Sequence, residues 1–155
     1  MSRYNDAPAD RRLADELVES LVEIRHDLHA HPEVGYEEHR TSEVIRRELT
    51  AAGIEHVGGL AGGTGVLAWI PGRADGPATG LRADIDALPI QEETGLPWES
   101  THPGRMHACG HDGHTTILLG AARALAVESE AGRLERPVVM VFQPAEEGGG
   151  GGRRM

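Results

Sequence analysis

Apolar residues recur at Leu13, Leu17, Leu21, Ile24 and Leu28. That spacing puts them on one face of a helix over 10–29, with Asp10 as a candidate cap. The His31-Pro32 step breaks it, because proline disfavours a helical predecessor. A second helix is expected over 38–52, with Val44, Ile45 and Leu49 inward and Gly53 as its stop. Short apolar runs at 54–57, 65–70, 79–85 and 137–142 read as strands. The last, Pro137-Val138-Val139-Met140-Val141-Phe142, is continuous, as in a strand buried on both faces. A glycine-rich loop is expected over 58–65 and a long irregular segment over 89–103, anchored by Trp98. A third helix is expected over 115–127, inward at Ile117, Leu118, Ala121, Ala122 and Leu125, with Asp112 as its cap. This order implies an α/β sheet with helices on both faces, preceded by a flexible lead-in over 1–9. In such sheets chemistry collects beyond the carboxyl ends of strands.

Composition adds a few bounds. At 155 residues the chain suits one domain with a proper core. Aromatics make up 3%, so Leu, Ile, Val and Ala must fill that core. The formal net charge is −10, and every basic residue is Arg. The acidic excess argues against a nucleic-acid partner, which requires clustered positive charge. No run approaches the ~18 apolar residues of a membrane span, and the polar first ten residues do not resemble a signal peptide. A cytoplasmic location is expected. One Cys excludes an internal disulfide and leaves a buried thiol, a nucleophile or a metal ligand.

Three clusters follow strands or precede helices. The densest is Met106-His107-Ala108-Cys109-Gly110-His111-Asp112-Gly113-His114. Residues two apart point the same way in an extended or turning backbone, so Cys109 and His111 can both reach one divalent cation. Asp112 would support them, and His114 lies one turn beyond. The other readings are a buried Cys beside a surface His, or a Cys–His nucleophilic pair. Asp84 and Asp86 share one side of a strand among Ile85, Ala87, Leu88 and Pro89, where unpaired carboxylates call for a cation. Glu146 and Glu147 point in different directions, so one could ligate and the other move protons; the plainer reading is a charged strand end. His26 and His29 read as helix-end histidines near the negative end of the dipole. His39, His56, His102 and His107 receive no role.

Four segments, in order, resemble the metallo-amidohydrolases of the aminoacylase/carboxypeptidase clan. This group includes hippurate hydrolase, N-acyl-amino-acid amidohydrolases and auxin-conjugate hydrolases. The segments are Arg25-His26-Asp27-Leu28-His29-Ala30-His31-Pro32-Glu33, Leu81-Arg82-Ala83-Asp84-Ile85-Asp86-Ala87-Leu88-Pro89, the 106–114 cluster, and Gln143-Pro144-Ala145-Glu146-Glu147-Gly148. The resemblance implies a zinc-peptidase-like catalytic domain, two divalent metal ions (Mn or Zn, with Ni as a further option), and cleavage of the amide bond of N-acyl amino acids. It places Cys109, His111 and Glu147 at metal-ligand positions, Glu146 at the general base and Asp86 at an aspartate supporting the catalytic centre. Asp84 stands where related peptidases place a metal-binding His. Family members are longer, with further His ligands and a small dimerisation and lid domain downstream. Residues 10–155 are therefore expected to be a partial catalytic domain, and any homodimer to require the longer protein. The rival expectation is a non-catalytic metal-binding or interaction fragment.

Overall fold

The computed structural model describes the backbone of residues 8–155 and side chains from residue 15 onward. The element order is α1 (Pro8–Ala30), α2 (His39–Ala51), β1 (Glu55–Leu60), β2 (Gly65–Ile70), β3 (Thr79–Asp84), α3 (His111–Glu130), β4 (Val138–Gln143) and α4 (Gly151–Arg154). Of the lead-in expected over 1–9, residues 1–7 lie outside the described residues. The helix has already begun at Pro8, so Asp10 falls within it rather than capping it. No helix among the described residues is long and apolar enough to cross a membrane.

The four strands form one mixed sheet in the order β1-β2-β4-β3. β1 with β2 and β2 with β4 are antiparallel, whereas β3 with β4 is parallel. The parallel register pairs Thr79 with Val138 and Asp84 with Gln143, so both chains leave the sheet side by side at their carboxyl ends. α3 makes the crossover between them, as a parallel pair requires.

One core joins the layers. Ile24 and Leu28 of α1, Val44, Ile45 and Leu49 of α2, and Leu118, Leu119 and Ala122 of α3 pack with Val66, Ala68 and Ile70 of β2, Ala83 of β3 and Val138, Met140 and Phe142 of β4. The α/β class expected from the pattern is the one observed. Of the two faces, this one carries α1, α2 and α3. The other presents Val57, Leu67, Trp69, Val139 and Val141, partly or well exposed. The four-residue α4 sits at its carboxyl end, where Gly152 lies against Gln143. β4 is correspondingly not buried on both faces. Its burial alternates residue by residue, because only its Val138, Met140 and Phe142 side meets the helices.

Three boundaries depart from the pattern. Gly58 and Gly59, expected in a loop, belong to β1, whose pairing slips between Val57 and Leu60. α3 starts at His111, a full turn before Thr115. Gly110 takes the cap position with φ +83°, a conformation open to a residue without Cβ, and Asp112 lies inside the first turn. α2 begins after Glu38, whose side chain makes no capping bond. Glu33 caps the helix from five residues upstream, accepting the amides of Arg40 at 3.1 Å and Thr41 at 2.8 Å.

Candidate metal centre

The carboxyl ends of β3 and β4 deliver the chemistry, and two short bridges hold the loops over them. Ala87 donates its N–H to Glu33 O, and Leu88 and Met106 exchange backbone hydrogen bonds at 3.0 Å each way. The second bridge lays the 106–111 segment across the end of β3 and brings the first turn of α3 onto Asp86.

His111 is the hub and is buried. Its Nδ1 lies 2.9 Å from the backbone oxygen of Asp86 and 3.3 Å from Asp86 Oδ1. Both can only accept, so Nδ1 carries a proton, and in the neutral ring Nε2 is the nitrogen left with a lone pair. Around that Nε2 stand Asp84 Oδ1 at 3.5 Å, Glu146 Oε2 at 3.9 Å and Glu147 Oε1 at 3.9 Å. One ligand atom each from Cys109, His111 and Glu147 falls within 4.8 Å of the others. Glu146 and Glu147, expected to point apart, thus both approach one imidazole nitrogen. The intervening turn accounts for it: Ala145 adopts φ +49°, and the Glu147 N–H donates to Asp86 Oδ2 at 3.0 Å.

Asp84, His111 and His114 form a second grouping that shares His111. Here protein groups already answer the carboxylate. His114 Nδ1 lies 2.6 Å from Asp84 Oδ1, and Arg82 Nη1 lies 3.2 Å from Oδ2. The cation expected beside Asp84 is therefore met at least in part by these side chains. The carboxylates of Asp86, Glu146 and Glu147 have no Arg partner among the described residues. The hydrogen bond to Glu147 raises the Cys109 thiol above its usual range, and burial and the nearby carboxylates push the same way. A thiol, an imidazole lone pair and under-compensated carboxylates crowded at one point are a donor set that fits a divalent cation.

Sequence reasoning missed the support beneath this cluster. His29 lies in the last turn of α1, as expected, but its role goes beyond the helix end. It is buried, with Nδ1 2.9 Å from Asp112 Oδ2 and Nε2 3.1 Å from Glu92 Oε1. Arg25 reaches the same Asp112 oxygen at 3.3 Å. Glu92 in turn accepts from Thr94 and from the amide of Ser100. His107, buried with neither ring nitrogen bonded, is held down to a pKa of about 4 chiefly by that burial. His26 stacks on Trp98, the expected anchor of the irregular segment, at 3.8 Å between centroids. The wider acidic pattern gave no cue to Glu38, a fully buried carboxylate that reaches Thr64 and Ala145.

Beside Glu147 and Asp86 opens a cavity of about 350 Å³, walled by Val34, Tyr36, Leu88 and Pro89. A larger one, about 430 Å³, lies at the opposite end of β2 by Ile54, Trp69 and Ile70, away from the acid–base groups.

Comparison with known proteins agrees with this fold. Residues 80–155 match the model of peptidase family M20/M25/M40. The chain is similar to an IAA-amino acid hydrolase (ILR1-like 5) of Arabidopsis thaliana, at 47% identity over 87% of the chain and 30% of that protein. It is also similar to N-acetyl-L-cysteine deacetylase of Bacillus subtilis, at 48% identity over 90% of the chain and 33% of that protein. It therefore spans about a third of the length of these relatives. Its fold superposes on the crystal structure of Bacillus subtilis YxeP, described as a dinuclear metal binding peptidase from the M20 family. The TM-score is 0.86 at 46% identity, over 90% of this chain and 38% of that one. In the matched segment, in these relatives and in the shared fold, the chain resembles peptidase family M20/M25/M40.

Proposed function

We propose that the chain carries part of the catalytic domain of a metal-dependent amidohydrolase that cleaves the amide bond of small N-acyl amino acids. The observation that carries this reading is the convergence of Cys109, His111 and Glu147 on one point, with Glu146 beside it. On this reading Cys109, His111 and Glu147 hold a divalent cation, and the two-ion chemistry of the YxeP neighbour extends to this protein, with Mn or Zn as the ion. When bound, the ions supply Lewis-acid activation of water and stabilisation of an oxyanion. Residues 10–155 act as the metal-binding part, and dimerisation and lid functions belong to segments outside them.

The chain's own groups divide the work. Glu146, the more exposed of the glutamate pair, accepts a proton from the attacking water as its oxygen bonds the acyl carbon. The same carboxyl returns that proton to the nitrogen as the C–N bond breaks, leaving a carboxylic acid and a free amine. Asp86 fixes the tautomer of His111 and holds the Glu147 amide. The cavity walled by Val34, Tyr36, Leu88 and Pro89 takes the apolar acyl group. The names of the relatives support this substrate class: one is a hydrolase of an IAA-amino acid and the other a deacetylase of N-acetyl-L-cysteine.

The Glu146→Gln variant tests the assignment. Hydrolysis of an N-acetyl or aromatic N-acyl amino acid is expected to fall by about 10²–10⁴-fold, with metal content by elemental analysis unchanged. Unaltered turnover would remove Glu146 as the base. Retained metal with no hydrolysis by the unmodified chain would favour a metal-binding module instead.

A further inference from the structure

We propose that Glu38 is a positioning residue, whose buried carboxylate sets the Ala145 turn that aims Glu146 and Glu147 at His111. The inference rests on the metal-centre reading above. Glu38 is 0% exposed and has no ion-pair partner among the described residues. Its Oε2 accepts the Thr64 hydroxyl at 2.8 Å and its Oε1 accepts the Ala145 amide at 2.8 Å. It holds the cap position of α2 but leaves the capping to Glu33, which frees its side chain to reach 107 residues along the chain.

The amide it holds is an unusual one. Ala145 sits at φ +49°, where a residue with a Cβ is disfavoured and must be held by its surroundings. The neighbouring residues close in on the same turn. A Cβ at Gly35 would stand 3.0 Å from that of Ala145, tighter than side chains usually pack, so glycine suits this close approach. Tyr36 donates its hydroxyl to Gly149 O at the far end of the turn. Asp86 takes the amide of Glu147. Segment 35–38 and Asp86 thus grip 145–149 from two sides, and the two glutamates are the side chains that project between the grips.

A carboxylate buried without a cation opposes folding. An apolar residue at this joint would suit stability better, and a polar acceptor is intelligible where the backbone of 145–147 must hold one conformation. A side-chain oxygen at full reach of a peptide N–H does that with a direction an apolar contact lacks.

The test uses the full chain with Glu38→Gln, Glu38→Asp and Glu38→Met, titrated calorimetrically with Mn2+ alone. Amide hydrogen exchange is followed before any metal is added. Gln keeps an acceptor at full reach and can donate to Thr64, so its affinity is expected within about threefold of the unmodified chain, whereas Asp, one methylene short, and Met are expected to lose about tenfold or more. Amides of 145–147 should exchange faster in Asp and Met but not in Gln. The order Gln above Asp separates placement from charge, since a purely electrostatic role predicts the reverse. Asp binding as tightly as the unmodified chain, Gln falling to the level of Met, or unchanged exchange at 145–147 would each overturn the proposal. If Glu38→Met does not fold, the Gln and Asp pair decides. If the unmodified chain takes up no Mn2+, the metal reading fails, and the exchange rates alone judge Glu38.

Discussion

His111 can serve a cation through one nitrogen only, because Asp86 takes the other. Removing that partner should therefore act on affinity as well as on stability. Asp86→Ala is expected to weaken divalent-metal binding by about 10–100-fold, measured by competition with a chelator, because His111 can then turn and the Glu147 amide loses its acceptor. Affinity within a factor of two would remove Asp86 from the supporting set. Cys109 and His111 stood out as candidates by their spacing, and Glu146 and Glu147 by likeness alone; the fold brings these four near one another. Glu38, Glu92 and His29 did not stand out. Each looks like an ordinary helix-end or loop residue until the fold brings Ala145, Ser100 or Asp112 against it.

Among the elements, α1 docks on the start of α3 through a buried polar joint as well as through Leu28 and Ile24. Burial lowers the pKa of His29, but hydrogen bonds to Asp112 and Glu92 outweigh it, and the net direction is upward. A histidine whose folded pKa is raised contributes its full stability below the unfolded value and loses it as pH climbs through the folded one. The thermal midpoint should therefore fall as pH rises from the ordinary histidine value of about 6.5 through the folded one, and His29→Gln should flatten that slope while lowering the midpoint most at the acid end. A variant with an unaltered slope would show that the joint does not titrate in this range. Helix and strand positions were largely legible, because period and length are local properties. The start of α3 was not. Its first turn is built from His111 and Asp112, polar residues whose partners lie just after β3 and on α1. The apolar stripe that marks a helix begins only afterwards.

The molecule as a whole is a sheet with helices layered on one side, and Phe142 lies fully buried where β4 meets the core. Phe142→Ala should cost about 3–5 kcal/mol in urea unfolding, enough to remove a large part of a domain's stability. A loss below about 1 kcal/mol would mean that the core can close around the gap. Which sheet face would carry the helices could not be read from β4, since a run of Val, Met and Phe looks equally apolar on both sides.

The parallel seam between β3 and β4 has a temporal side. Its partners, Thr79 with Val138 through Asp84 with Gln143, join stretches of chain separated by the whole of α3. Pairings of that reach close late, after local hairpins and helices have formed. Until this seam zips, Asp86 and the paired glutamates are strangers on a wandering polymer, and the thiol–imidazole loop has nothing to face. Ion capture by these donors would then depend on closure of the seam, so that metal uptake would report on long-range pairing as much as on local chemistry.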